Sequence, residues 1–239
     1  MKSKKFFLFV LLTIIIQVVF TSKFNLINTQ FPFLDGVPIT SAFQLEYKYL
    51  LNWYLPIVSI SFYFSGYLSK LVEAQSIVFF IRNYSKSQWI IKQFLSMVLF
   101  LFTFIVFQSL LFALTTPDNL VFSFGNLSKS FLIYFLTLVT LFSMQQLLEL
   151  YIKPEIAHLT INIYIVLSVL FAGEIYQNST FFSYFLLPNY GMSFKNGLSQ
   201  VPEFKIYSVN YFNAMIILVV IELIVIGLSV RRIKNMDLM

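Results

Sequence analysis

Six apolar stretches run through the sequence, and each is long enough, or nearly so, to cross the roughly 30 Å hydrocarbon core of a bilayer as an α-helix. Lipid offers a backbone no hydrogen-bond partners, so such stretches predict helices rather than open strands. Only 11% of residues are charged, against about 25% in soluble domains. We predict an all-α polytopic membrane protein with one transmembrane domain, residues 1–239, whose spans cover approximately 6–21, 52–68, 93–114, 130–150, 157–173 and 212–230.

The distribution of Lys and Arg predicts how these spans are oriented. Cytoplasmic segments carry an excess of basic residues, and this excess sets topology. With both termini cytoplasmic, the inside segments include 69–92 and the outside loops are 22–51, 115–129 and 174–211. Five of the sixteen basic residues then lie outside, at positions 23, 48, 129, 195 and 205. A cleaved signal peptide at the N-terminus is the alternative, but no A-x-A-like site follows Phe20.

Composition and motifs exclude most catalytic functions. The chain has no cysteine and one histidine, which predicts no disulfide and no Cys- or His-rich metal site. None of the glycines begins a Walker A loop, so ATP hydrolysis would belong to another chain. An intramembrane serine hydrolase would need a Ser-His pair, for which Ser65 and His158 are the one candidate. The basic residues are too thinly spread to predict nucleic-acid binding.

The outside loops carry two further structural predictions. Residues 43–53 are rich in Tyr, Leu and Trp, and either form an interfacial helix or provide the first turns of a longer second span. The last loop contains turn-forming residues that predict an irregular cap over the membrane, namely Pro188, Asn189, Gly191, Asn196, Gly197 and Pro202.

The segment 69–92, between the second and third spans, is amphipathic. Leu71, Ala74, Val78 and Ile81 follow helical spacing on one side, whereas Lys70, Glu73 and Ser76 share another. This pattern predicts a short helix at the membrane surface. A polar break follows, after which Ser87 is a candidate N-cap for the third span. The alternative is a plain loop whose basic residues only set topology.

The order of features in this segment resembles the cytoplasmic segment of type-2 ABC exporter permeases. In that family a short helix with a glutamate is followed by a basic residue, a serine, another basic residue and a lysine at the third span. The matching positions here are Glu73, Arg82, Ser85, Lys86 and Lys92. The C-terminus also resembles the family's ending, in which basic residues are followed by an Asp-Leu or Asp-Ile pair, here Asp237 and Leu238.

This resemblance implies a non-catalytic permease in the bacterial plasma membrane. Segment 69–92 would hold a coupling helix that docks on a separate ABC ATPase, through Lys70, Glu73, Arg82, Ser85 and Lys86. The ATPase, in two copies, would bind ATP and Mg²⁺, and a second permease chain, identical or a sibling, would complete the pathway. This chain itself would hold no cofactor.

Small, Phe-rich permeases of this kind accompany bacteriocin and lantibiotic systems. The resemblance therefore implies export of, or immunity to, an amphipathic or antimicrobial peptide or another apolar molecule. The alternative is an integral immunity or accessory protein without an ATPase partner.

Polar residues inside the spans are candidates for a pathway or gating role, because ionisable groups are expensive at membrane depth. Glu222 lies in the middle of the last span, and Gln145, Gln146 and Glu149 lie near the inner end of the fourth. Interhelical hydrogen bonding is the alternative for Glu222, and interfacial placement for the other three. For Gln17 and Gln108 we favour interhelical bonding, and for His158 a structural role.

Overall fold

The structure is a computed structural model that describes residues 4–24, 26, 31–39, 47–72, 85–115, 124–199 and 209–236. Helices, turns and loops make up this part of the chain, with no strand among the described residues. The helices are α1 (Lys4–Lys23), α2 (Pro32–Asp35), α3 (Tyr47–Phe64), α4 (67–72), α5 (Lys86–Thr115), α6 (Phe124–Glu149), α7 (Pro154–Leu170), α8 (Ala172–Asn178), α9 (Thr180–Ser183), a 3₁₀ turn (Leu187–Gly191), α10 (Ser193–Asn196) and α11 (Tyr211–Lys234).

Four helical segments are long and apolar enough to cross a membrane. They are α5, α6, α11 and the continuous stretch Tyr47–Val72, which joins α3 to α4. The pair α7 and α8 would provide a fifth span if the two are counted together, although their axes differ by 58°. Helix α1 is apolar but shorter. The predicted all-helical class is confirmed, and four or five spans follow from length and composition.

The structure corrects several predicted boundaries. The second apolar stretch is interrupted at residues 65–66 and continues to Val72, although we predicted that it ends at Leu68. The fifth was predicted as one straight span to Gly173, but α7 ends at Leu170 and the chain turns into α8. Helix α6 begins at Phe124, inside the predicted outside loop.

The structure also tests two local predictions, the start of the second span and the N-cap of the third. Helix α3 begins at Tyr47 and runs on into the second span, so residues 47–53 form its first turns; residues 43–46 lie outside the described part. Helix α5 begins at Lys86, one residue before the predicted cap Ser87. The Ser85 hydroxyl accepts a hydrogen bond from the Gln88 N–H instead, at 3.4 Å, because the N-cap residue precedes the first helical turn.

Helix α6 lies at the centre of the bundle. It packs against α3, α5, α7, α11 and the 3₁₀ turn, and its residues Leu138, Leu141 and Phe142 are completely buried. Helices α5 and α11 instead expose rows of large apolar side chains, including Leu99, Phe102 and Leu110 on α5 and Ile216, Leu223 and Leu228 on α11. Exposed apolar faces of this extent are typical of helices that contact lipid.

Residues 187–196, which we call the buried cap, lie in the last predicted outside loop, for which the turn residues predicted an irregular cap over the membrane. They form the 3₁₀ turn and α10, and every residue is buried. Ser193 donates to the Ser130 hydroxyl of α6 at 3.0 Å, and Asn189 donates to the Ser168 carbonyl of α7 at 2.8 Å. The cap is therefore part of the core at one end of the bundle. Pro202 lies outside the described residues.

Candidate functional site

Contacts join three chain segments at the end of the bundle opposite the buried cap. The Lys86 ammonium, at the start of α5, donates to the Met236 carbonyl just after α11, at 2.9 Å. The Arg232 guanidinium of α11 donates to the Leu150 carbonyl after α6, at 3.2 Å, and lies 4.8 Å from the centre of the Tyr151 ring. We call this region the basic end; its described basic residues include Lys70, Lys86, Lys153, Arg231, Arg232 and Lys234.

The position of the basic residues at this end has an electrostatic explanation. The last carbonyls of a helix lack intrahelical partners and carry the negative end of the helix dipole. Arg232 and Lys86 donate to carbonyls at the C-terminal ends of α6 and α11, respectively. The basic residues thus tie the helix ends together besides giving this end its charge.

Of the five predicted ATPase-coupling residues, three lie in the described part. Lys70 is exposed on α4, Ser85 caps α5, and Lys86 is half-buried through its bond to the Met236 carbonyl. Glu73 and Arg82 lie outside the described residues, as do most of the predicted amphipathic helix and the pair Asp237 and Leu238. The structure places Lys70, Ser85 and Lys86 at one end of the bundle.

Two of the predicted pathway residues form hydrogen bonds to residues around the break between α3 and α4. Glu149 Oε1 accepts a hydrogen bond from the Gly66 N–H at 3.0 Å. One turn earlier on α6, Gln145 donates to the Ser61 carbonyl at 3.0 Å and accepts from the Ser61 hydroxyl at 2.7 Å. Gln145 is completely buried and Glu149 nearly so. We call Ser61, Gly66, Gln145 and Glu149 the joint.

A second polar group adjoins the joint and connects α3 to α7. The Ser61 hydroxyl lies 2.8 Å from His158 Nδ1 and accepts from the Asn162 amide at 2.8 Å. Tyr54 donates to the Asn162 side-chain oxygen at 2.6 Å. The serine beside the histidine is therefore Ser61, not Ser65 as the sequence suggested. Ser61 is completely buried, and the hydrogen bonds of its hydroxyl join α3 to α6 and α7.

Sequence reasoning missed Ser61, Asn162 and Gly66. A signal was available for Asn162, because His158 and Asn162 are four residues apart and share one face of α7. Nothing in the sequence marks Ser61, since a single serine within an apolar helix bonds its own backbone as readily as a neighbour.

Glu222 of α11 bonds to α6, the helix that also carries Gln146. Glu222 Oε1 accepts a hydrogen bond from the Ser143 hydroxyl at 2.8 Å, which is the interhelical bonding that we gave as one alternative. Among the described residues, Glu222 Oε2 and both amide atoms of Gln146 are buried without a partner. Gln146 lies one turn after Ser143, on the same face of α6. It is fully buried within the bundle.

Gln17 and Gln108 connect three helices away from the joint. Gln108 donates to the Gln17 side-chain oxygen at 2.6 Å, and Gln17 donates to the Asn52 carbonyl at 2.9 Å. Nearby, the hydroxyls of Thr13 and Ser59 lie 2.9 Å apart. These bonds join α1 to α3 and α5, which is the interhelical role that the sequence favours for amides within spans.

Lys195 is a buried cation that sequence reasoning placed simply in an outside loop. It is 1% exposed within the buried cap, and its ammonium donates to the Asn189 side-chain oxygen at 3.0 Å. Burial lowers the pKa of Lys195 from 10.5 to about 7, because a desolvated ammonium loses the water that stabilises its charge.

A groove of about 610 Å³ opens between α5 and α6, towards the buried cap. Its lining is almost entirely apolar and includes Phe102, Phe131 and Phe135, with Ser109 and Ser128 as the hydroxyl-bearing residues. Such a groove suits an apolar chain or ring rather than a charged ligand. In the part of the chain that the structure describes, no cluster of three His, Cys, Asp or Glu could hold a metal ion.

Long apolar helices, joined by hydrogen bonds between polar side chains inside the bundle, define the class: an all-helical protein capable of spanning a membrane. The chain belongs to the DUF2705 family, described as proteins of unknown function, whose sequence profile matches residues 10–239. It is similar to the uncharacterized protein YybK of Bacillus subtilis (strain 168), with 34% identity over 248 residues that cover 100% of this chain and 98% of YybK. No solved structure matches the chain significantly.

Proposed function

We propose that this chain is the permease subunit of an ABC exporter in the bacterial plasma membrane, with six spans and cytoplasmic termini. The observation that carries the proposal is the basic end. There the described chain stops at Val72 and is described again from Ser85, beside the end of α11. The segment with the sequence features of a coupling helix therefore starts and finishes at the end richest in Lys and Arg, where the positive-inside rule puts the cytoplasm.

The count of six spans rests on α1 and on the pair α7 and α8. Helix α1 has 20 residues, which corresponds to about 30 Å of helix. It packs along α3 through the Gln17 and Thr13 bonds, as a spanning helix of the same bundle would. A bent fifth span is compatible with a bilayer because its freed carbonyls can bond within the bundle.

Energy for transport comes from a separate ATPase in this proposal. The sequence has no Walker A loop, so ATP and Mg²⁺ bind to the partner, of which two copies face two permease chains. Exposed Lys70 is available for charge-assisted contacts with an acidic surface of that partner. Lys86 instead donates to the Met236 carbonyl beside the C-terminal end of α11, and so orients the start of α5, which follows the proposed coupling helix.

An apolar or amphipathic peptide is the cargo that the molecule suits best. The groove between α5 and α6 is apolar and rich in phenylalanine, and it opens on the face where α5 exposes Phe102 and Leu110. Phenylalanine surfaces bind aliphatic and aromatic side chains through burial of apolar area. This supports antimicrobial peptides, exported or removed for self-protection, as the class to test first.

Co-purification from the native host tests the proposal. The tagged full-length chain, extracted in mild detergent, is expected to carry a second chain that contains a Walker A sequence and hydrolyses ATP. Replacing Glu73 and Arg82 together by Ala should remove that chain and its ATPase activity. The matched control, Lys23→Ala with Lys129→Ala, changes charge at the opposite end and should leave the complex intact.

A preparation that is stable and peptide-protective without any ATP-hydrolysing chain would overturn the proposal. It would favour the alternative of an integral immunity or accessory protein. Retention of the ATPase by the Glu73 and Arg82 variant, or equal loss of the ATPase from this variant and from the control, would place the docking surface elsewhere.

A further inference from the structure

The interruption between α3 and α4 is built from one unusual backbone position. Gly66 has φ of +66°, a left-handed conformation that glycine adopts without strain. A Cβ at this position would lie 3.6 Å from the Pro154 side chain at the start of α7. The helical bonding resumes after it, with the Lys70 N–H donating to the Gly66 carbonyl. The described chain continues from this turn, beside α7, to Val72.

Side chains of α6 hold both sides of this interruption. Gln145 bonds the Ser61 carbonyl and hydroxyl, in the last turn of α3. Glu149 bonds the Gly66 N–H, in the turn itself, and Gln145 also lies 3.5 Å from Glu149 Oε1. Because the two side chains are four residues apart, they project from one face of α6. A buried donor that loses such an acceptor is expensive to leave unpaired.

The position of α4 therefore depends on α6. Helix α6 is the central helix of the bundle and packs on α3, α5, α7 and α11. A displacement of α4 must either move α6 with it or break the bond between Gly66 and Glu149. If α4 and α6 move as one rigid body, a displacement of α4 reaches the rest of the bundle. If the bond breaks, the displacement stays local to α4.

We propose that Glu149 and Gln145 are positioning residues that lock α4 to α6, so that displacement of the segment after Val72 reaches the centre of the bundle. This inference rests on the proposed function for the origin of the displacement. The lock itself is a property of the chain alone. The carboxylate acts through the Gly66 N–H and contacts neither ATP nor cargo.

Spin labels test the lock without the ATPase. The chain has no cysteine, so Lys70→Cys and Lys153→Cys, both at exposed positions, can be labelled in the full-length protein without background. We expect one narrow distribution of distances between the labels, and a clearly broader one after Glu149→Leu. Glu149→Gln keeps an acceptor oxygen for the Gly66 N–H and should restore the narrow distribution.

A matched control separates the lock from general loosening. Glu222→Leu removes the carboxylate that accepts from Ser143, also on α6 but away from the joint, and should leave the distribution narrow. Gly66→Ala, which strains the left-handed turn but keeps its N–H, should broaden it even if Glu149→Leu fails to fold. A narrow distribution in Glu149→Leu or Gly66→Ala, or equal broadening by Glu149→Gln, would overturn the inference.

A second measurement uses the complex with its ATPase, in vesicles, with unlabelled variants. Glu149→Leu should keep the bound ATPase and its hydrolysis rate but reduce cargo moved per ATP by about tenfold, the effect of losing one buried hydrogen bond. Glu149→Gln should recover most of it. Unchanged transport per ATP in Glu149→Leu would overturn the lock. If no ATPase is found but the spin labels give the expected distance distributions, only the exporter assignment is overturned.

Discussion

At the scale of single residues, Lys195 is notable because its amino group is buried inside the protein. Its ammonium is buried in the cap with the Asn189 amide oxygen as its hydrogen-bond acceptor, and burial lowers its pKa to about 7. The sequence could not reveal this, because Lys195 stands among turn residues in a segment that looks like a surface loop. Burial of residues 187–196 depends on contacts with α6 and α7, which are far away in the sequence.

The pKa of Lys195 predicts a dependence of stability on pH. Between pH 7 and 10.5 the unfolded chain binds a proton at Lys195 that the folded chain releases, so stability should rise with pH in this window. Below pH 7 both states are protonated and the full cost of burying the charge remains. Lys195→Met should therefore raise the melting temperature most at pH 6, and the gain should shrink towards pH 10.

Thermal unfolding in detergent, followed by circular dichroism from pH 6 to pH 10, measures this difference. Lys129→Met, a substitution of an exposed lysine at the same end of the bundle, is the control and should follow the wild-type pH dependence. A gain from Lys195→Met that stays constant over the whole range would contradict the assigned role of the buried charge.

At the scale of helices, the sequence located the elements better than their interruptions. Every predicted apolar stretch coincides with a helix, because hydropathy averaged over about 20 residues detects a lipid-facing segment reliably. The same averaging hides the turn at Gly66 and the bend after Leu170, each of which involves two or three residues. The partners of Gln145 and Glu149 could not be predicted either, since they depend on how α3 is rotated against α6.

The contact between α2 and the buried cap provides a test at this scale. Gly36, at the C-terminal end of α2, has φ of +75°, and a Cβ there would overlap the Met192 side chain. Strain and overpacking together predict that Gly36→Ala lowers the free energy of unfolding by about 2–4 kcal/mol. Equilibrium unfolding in mixed micelles measures it.

Gly125→Ala is the matched control for this substitution. Gly125 lies in α6, and nothing stands within 4 Å of the position that its Cβ would take. Alanine favours helix over glycine, so the control should stabilise the protein slightly. Equal losses from the two substitutions would mean that α2 does not pack on the cap as described.

At the scale of the whole molecule, the two ends of the bundle differ in positive charge. The described residues of the basic end and of the cap end differ in basic content, and hydrogen bonds place the contributing helix termini together at each end. The sequence predicted this asymmetry because the spacing of Lys and Arg between apolar stretches is visible without any tertiary contact. The family and YybK extend over nearly the whole chain, so the same spacing can be examined in relatives.

The orientation in the membrane is directly testable, because the chain has no cysteine. A single Lys129→Cys at the cap end should react with a membrane-impermeant maleimide in intact cells, since the positive-inside rule places that end outside. Lys153→Cys, at the basic end, should react only after permeabilisation. The cysteine-free wild type controls for background. Reversed labelling would invert the topology and remove the cytoplasmic site for ATPase docking.

The buried cap has one more consequence. Residues 187–196 pack between α2, α6 and α7 at their end of the bundle, so the described part of one copy closes that mouth with its own side chains. A peptide carried by the proposed exporter would travel along the seam where two copies meet, and the chemistry that selects it would reside on the outer walls of the helices.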